Sequence, residues 1–370
     1  MIPVNTPLLD GNEKKYLLSA IEEGWISSEG PAVKEFENKF SLRVNRKHGI
    51  AVANGSVALD LAVYALDIKE GDEVIMPAFT IISPAAAIVR CGAKPILVDN
   101  FDDTFNMNVN EIEARITNKT KAILIVHIYG LPVDIDPIIE IAKKYSLKII
   151  EDAAEMHGQT YKGQPCGSFG DISTFSFYPN KHITTGEGGM VVCNNDALAE
   201  RCRLLRNLAF IPEKRFMHYE LGWNYRFTHL QALLGIAQLE RLDEFVDRKR
   251  AMGKLYTSLL SDLQDKIELP LAKTEYADNI YWVYSIVLKE KVGMKAMQVM
   301  KLLGEEGIGC RPFFYPMHLQ PVFTKMGWYK NERYPVSEMI AEYGFYIPSG
   351  LALTESEINE VSDKLHKILL

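Results

Sequence analysis

KAILIVHIYGLPVDIDPIIEIAKKYSLKIIEDAA, residues 121–154, decides the fold. Its two ends, KAILIVHIYG (121–130) and LKIIEDAA (147–154), are short runs rich in Val, Ile and Leu, while DPIIEIAKKY (136–145) between them repeats its apolar residues at helical spacing. Strand, helix and strand therefore alternate. Working outward, VALDLAVYAL (57–66) has the same helical pattern, and DEVIMPAFT (72–80) and KPILVD (94–99) are further short buried strands. This alternation argues for an α/β protein with a mostly parallel sheet, covered on both faces, up to about residue 240. Beyond it, ERLDEFVDRKRAMGKLYTSLL (240–260) is helical, and a Pro-containing stretch leads to the alternating strand YWVYSIVL (281–288) and the helix MKAMQVMKLL (294–303). The expected division is a large domain over 1–245 and a smaller one over 246–370, whose last helix starts on a capping box of Thr354 and Glu357.

Composition bounds the function. A chain of 370 residues, 47% hydrophobic and 24% charged, suits a globular protein with a large core and an appended domain. A net charge of −7 leaves no basic footprint, so nucleic acid is not an expected partner. The five cysteines, Cys91, Cys166, Cys193, Cys202 and Cys310, are scattered and form no CxxC pair, which predicts neither a metal site nor a disulfide framework and suits a reducing cytoplasm. MIPVNTPLLDGNEKK lacks a basic segment followed by an apolar core, and residues such as Arg90 break the apolar stretches, so neither secretion nor membrane spanning is expected.

Three segments carry candidate chemistry. LKII ends in Glu151-Asp152, which places an acid at the carboxyl edge of a parallel sheet, where α/β folds bind ligands. Asp152 could keep a pyridinium nitrogen protonated, as pyridoxal phosphate chemistry requires; alone, it reads equally as a strand-end cap. Lys181 stands in FSFYPNKHITTGEGGMVV (175–192), between an aromatic strand and a Gly-rich turn. A surface lysine is the ordinary reading, but a desolvated one has a lowered pKa and a neutral amine able to form an imine with an aldehyde. Asn54-Gly55-Ser56 before VALDLAVYAL offers backbone N–H groups and a hydroxyl at a helix start, and Ser176 is a second hydroxyl for the same phosphate. GEGG (186–189) lacks the spacing of a GxGxxG dinucleotide loop, which leaves a nicotinamide enzyme unsupported.

GWISSEGPAVKEFE (24–37), VANGSVALDL (52–61), GDEVIMPAFT (71–80), EDAAEMHG (151–158), FSFYPNKHITTGEGG (175–189) and GWNYRFTHLQALLGIAQLERLD (222–243) together resemble the DegT/DnrJ/EryC1/StrS sugar aminotransferases over nearly the whole chain. The resemblance implies a fold-type-I transferase: a mixed, mainly parallel sheet in a large domain, a smaller α+β C-terminal domain, and a homodimer with shared active sites that can pair into a tetramer. It implies pyridoxal 5'-phosphate as cofactor, with Lys181 as the lysine that bonds it and Asp152 as partner of the ring nitrogen. Gly55, Ser56 and Ser176 become phosphate ligands, and Asn224 reaches the phosphate from the other subunit. Glu155 falls near the ring hydroxyl. Ile81 stands where an aromatic ring usually stacks on the cofactor, and Phe79 lies two residues away, on the same face if the stretch stays extended.

FSFYPNKHITTGEGGMVV, the NYR region and RPFFYPMH (311–318) resemble most the family members that aminate C4 of a GDP-linked 4-keto-6-deoxymannose to give GDP-perosamine, used in O-antigen and other surface polysaccharides. Other members act on UDP- or dTDP-linked keto sugars or an oxidised Kdo. L-Glutamate is the implied amino donor. Trp25, Arg226, Arg311 and His318 are the candidates for contacts to sugar, nucleotide or carboxylate, each with an ordinary structural alternative. One branch of the family removes a sugar hydroxyl and carries histidine in place of the lysine; His182 would revive that reading through a one-residue slip.

Overall fold

The computed structural model describes residues 1–211, 214 and 216–370. Nine strands form in the first half: β1 (His48–Val52), β2 (Glu73–Pro77), β3 (Lys94–Val98), β4 (Thr120–Val126), β5 (Lys148–Asp152), the short pair β6 (Thr160–Tyr161) and β7 (Gln164–Pro165), β8 (Ile172–Ser176) and β9 (Gly189–Cys193). Seven make one sheet in the order β1-β9-β8-β5-β4-β2-β3, in which β9 is antiparallel to both neighbours and every other adjacent pair is parallel.

The period-2 alternation of a strand shows how the sequence builds this sheet. Val74 and Met76 enter one core with Ala122, Leu124, Ile150 and Val191, while Ile75 enters the other with Ile123, Ile125, Ile149 and Val192. Both faces are covered, so the strands read as continuous apolar runs. The helix Gly55–Ala65 packs on the first face, and Ala32–Arg43, Ile135–Tyr145 and His229–Leu239 pack on the second.

The second unit is an antiparallel sheet of β10 (Ile267–Glu268), β11 (Tyr284–Leu288), β12 (Arg311–Pro312) and β13 (Gly344–Ile347), in the order β10-β11-β13-β12. Its core takes in the helices Ala296–Glu305 and Glu355–Leu369, the latter opened by the reciprocal Thr354–Glu357 box. The strand expected over 281–288 begins only at Tyr284, because Tyr281 adopts φ 47° and breaks the extended run.

Two features cross the expected division after residue 245. Helix Leu242–Leu259 is continuous through it, with Leu242, Phe245 and Val246 in the core of the large sheet and Met252 and Tyr256 in that of the small one. The first residues belong with the small unit: Ile2 N–H donates to Gly307 O at 2.8 Å, Gly309 N–H to Ile2 O at 2.8 Å, and Ser349 N–H to Val4 O at 2.9 Å.

Candidate active site

Parallel strands end at one edge, and that edge collects the candidate residues. Gly55 and Ser56 follow β1, Thr80 and Ile81 follow β2, Asp152 ends β5 and Ser176 ends β8. Because β8 and β9 are antiparallel neighbours, their connection needs no crossover and residues 177–188, with Lys181, stay over the same edge. These segments wall a cavity of about 810 Å³, closed on the far side by Trp282, Phe314 and Tyr346 of the second unit.

Alternation along β5 separates two adjacent acids. Glu151 points to the far face, where its carboxylate accepts from Gly167 N–H at 2.6 Å, Phe169 N–H at 3.0 Å and Ser173 Oγ at 2.8 Å, and meets His127 Nε2 at 3.1 Å. Asp152 faces the cavity, and among the described residues its side chain accepts only Ala154 N–H, at 3.1 Å. Burial pushes its carboxyl up to about 6, against the pull of the Ala154 N–H and the charge of Lys181.

Glu155 is buried beside Lys181, with Oε1 4.0 Å from Nζ and Oε2 accepting Tyr129 N–H at 2.7 Å. Burial disfavours the charged form of each, raising the carboxyl and lowering the amine, while their mutual attraction opposes both shifts. The Lys181 side chain is only 11% exposed, and its Nζ lies 4.1 Å from the centre of the Trp282 ring. This lysine is therefore no surface residue.

The phosphate-type cradle is built from close approaches. Asn54 caps the helix Gly55–Ala65 by accepting Val57 N–H at 3.0 Å, and Ser56 Oγ bonds Ser83 Oγ at 2.9 Å. A Cβ on Gly55 would lie 2.7 Å from Ser176 Cβ, and one on Gly189 would lie 2.4 Å from Asn54 O. Only glycine lets these strands and the helix start converge.

Lys181, Asp152, Glu155, Gly55, Ser56, Ser176 and Ile81 all line the cavity; Trp25, Asn224, Arg226, Arg311 and His318 do not. Ile81 is 48% exposed at the wall, whereas Phe79 turns into the core against Tyr129, Phe313 and Phe314, because the chain enters the helix Ile82–Arg90 instead of staying extended. Trp25 and Asn224 are exposed, and Arg226 donates to Asn207 Oδ1 at 2.8 Å. Arg311 sits opposite Tyr346 in the β12–β13 register, at the rim. His318 is buried, with Nε2 3.0 Å from Glu338 Oε1. His182 is buried behind Lys181 and donates to Ile280 O at 3.2 Å, so a one-residue slip does not bring it to the cavity.

Other wall residues had no signal in the sequence, or a faint one. Trp282 sat in a run read as strand, and the aromatic wall needs the second unit to fold back. Asp60 did leave a trace, as an acid on an otherwise apolar helix face; it holds Arg90 with two contacts of 2.8 and 3.0 Å at the cavity.

The family model described as the DegT/DnrJ/EryC1/StrS aminotransferase family matches residues 7–366. The chain belongs to this family. Among DegT/DnrJ/EryC1/StrS relatives, a GDP-perosamine synthase of Caulobacter vibrioides is 42% identical over 100% of this chain and 98% of its own length. One of Escherichia coli O157:H7 is 40% identical over 99% of this chain and 98% of its own. The solved aminotransferase of Psychrobacter cryohalolentis superposes with a TM-score of 0.92 at 28% identity, covering 98% of each chain. As a DegT-family member the protein is a pyridoxal-phosphate-dependent sugar aminotransferase with the fold-type-I architecture. The site suits that cofactor. Among the described residues, buried Thr80 Oγ1 and Asn180 Oδ1 line the cavity without a protein partner, Asp152 faces it with one hydrogen bond, and the cradle exposes N–H groups at a helix start.

Proposed function

We propose that the enzyme transfers the amino group of L-glutamate to C4 of a GDP-linked 4-keto-6-deoxymannose, forming GDP-perosamine for a surface polysaccharide such as O antigen. The observation that carries this reading is the buried amine of Lys181 in one cavity with Asp152 and the Gly55–Ser56–Ser176 cradle, in a chain matched end to end by GDP-perosamine synthases.

Each residue has a role that its surroundings support. Helix-start N–H groups at Gly55 and Ser56, with the hydroxyls of Ser56 and Ser176, hold the cofactor phosphate. Asp152, buried and facing the cavity, would keep a proton on the ring nitrogen. Glu155, whose protonated form burial favours, donates to the ring hydroxyl oxygen. Ile81 covers the ring with an aliphatic surface. Bound pyridoxal phosphate supplies the aldehyde that takes up the amino group and a ring that spreads the carbanion's electrons. Lys181 Nζ, whose charged form burial disfavours, moves the proton from the donor's Cα and later returns one to the sugar carbon. 2-Oxoglutarate leaves before the keto sugar enters the same cavity, which makes the kinetics ping-pong.

Asn224 is exposed and away from the cavity of its own chain, and Ile21, Trp25, Ile26 and Leu221 are exposed apolar side chains. These features suit a homodimer in which Asn224 and Trp25 serve the partner's cavity, while Arg226 and Arg311 meet the nucleotide diphosphate or a carboxylate at the rim. Among the described residues no helix is long and apolar enough to cross a membrane, and the nucleotide-sugar substrate suits work in the cytoplasm.

The test is a panel of GDP-, UDP- and dTDP-linked keto sugars and oxidised Kdo, each with glutamate and pyridoxal phosphate, followed by 2-oxoglutarate release and product mass. GDP-perosamine is the expected product. Turnover only with a UDP-linked or non-nucleotide sugar overturns the substrate, and unchanged transamination by Lys181→Ala overturns the role of the lysine.

A further inference from the structure

Lys249 lies in the middle of helix Leu242–Leu259 with 2% of its surface exposed. A buried ammonium is costly without compensation, and among the described residues no carboxylate stands near enough to offset that burial. Its partners are two carbonyls: Nζ donates to Trp282 O at 2.8 Å and to Ser349 O. These carbonyls belong to the two passages of chain that border the second sheet, residues 280–283 before β11 and 348–351 after β13.

Trp282 connects that anchor to the active site. Its indole N–H donates to Asn180 O at 2.7 Å, beside Lys181, and its ring centre is 4.1 Å from Lys181 Nζ. Tyr129 stacks on the same indole at 5.9 Å and 28°. Close packing at Gly253, whose Cβ would meet the Tyr281 ring at 2.5 Å, brings the helix against this passage.

We propose that Lys249 is a positioning residue for transamination: by tying the Trp282 carbonyl to the Ser349 carbonyl, it holds the Trp282 ring over the Lys181 amine. The ring keeps water from Lys181, and this desolvation outweighs the attraction of its face for an ammonium, so it maintains the neutral fraction of the amine. The proposal rests on Lys181 being the reactive amine. The titratable groups around Lys181 are Glu155 and Asp152 at the cavity and His157 and His182 behind it, and Lys249 itself faces His182.

The experiment uses the full-length protein freed of cofactor. Reductive methylation with formaldehyde across a pH series, read on the Lys181 peptide by mass spectrometry, gives the titration midpoint of that amine. Lys249→Gln, which keeps an N–H donor but loses the ammonium, should raise the midpoint by about half a pH unit or more, roughly threefold less neutral amine at fixed pH. In the reconstituted enzyme it should lower kcat more than it changes KM for glutamate. In a Trp282→Phe background the same substitution should have no further effect on either, because Lys249 acts through that ring. A direct charge effect on Lys181 would persist in that background, so additive effects overturn the proposal, as does an unmoved midpoint in Lys249→Gln. Trp282→Phe leaves the carbonyl held by Lys249 in place and must raise the midpoint by itself. If it does not, the proposal fails even where Lys249→Gln does not fold. Turnover by Lys181→Ala would instead remove the assignment of the lysine, a separate result.

Discussion

Gly55 and Ser176 approach so closely that a Cβ on the glycine would lie 2.7 Å from the serine's Cβ and 3.0 Å from its Oγ. The helix start and the end of β8 are thereby pinned together where a phosphate needs both. Gly55→Ala has to push Ser176 aside, an overpacking cost of about 1–3 kcal/mol. The expected result is at least a roughly tenfold weaker hold on pyridoxal phosphate, measured by spectrophotometric titration of the cofactor-free protein. Affinity within twofold of the parent would remove Ser176 from the cradle.

Asp152→Asn keeps the shape of the side chain and the contact to Ala154 but loses the carboxylate. Cofactor binding should survive while kcat drops by about 100-fold or more, the usual scale for a misplaced proton. Single-turnover rates with glutamate alone isolate the half-reaction in which the loss must appear; an unchanged rate there would contradict the role.

His157 is buried among Phe40, Phe175 and Phe177, and burial pushes its imidazole down to about 3 from the ordinary 6.5. Between those values the unfolded chain takes up a proton that the native ring refuses. The stability present above 6.5 is therefore lost as the pH falls toward 3. At pH 4.5 the loss from this residue is about 2–3 kcal/mol. Urea unfolding at pH 7.5 and 4.5 should show His157→Phe losing less stability than the parent by that amount. Parallel losses in the two proteins would mean that the ring is protonated when folded.

Thr354 and Glu357 satisfy each other's N–H groups at the start of the last helix. Thr354→Ala should cost about 0.5–2 kcal/mol in unfolding free energy and leave turnover unchanged. Thermal unfolding and a glutamate assay check the two halves separately.

Local pattern carried much of this architecture. The runs 121–130 and 147–154 are short, apolar and separated by a helical repeat; the helix Ile135–Tyr145 and β5 match their patterns within two residues, while β4 stops at Val126, four residues before the end of its run. Asp152, Ser56 and Lys181 were legible as candidates because strand ends and helix starts at a parallel sheet's carboxyl edge are places the backbone itself defines. The domain border was not, since Leu242–Leu259 is one amphipathic helix whose two ends serve different cores.

The rest depended on contacts between distant parts of the chain. Nothing near Lys181 in the sequence announces Trp282, Glu155 Oε1 or the burial that lowers the amine's pKa. Ile81 stands at the cavity wall while Phe79 turns into the core because a helix begins at Ile82, and His318 went to Glu338 instead of the cavity. Backbone periodicity and turn chemistry act over a few residues, and so they can be read from the chain alone. Desolvation, ring stacking and the choice of partner for a buried charge arise only when segments far apart in sequence exclude water together, and those were decided by the tertiary structure.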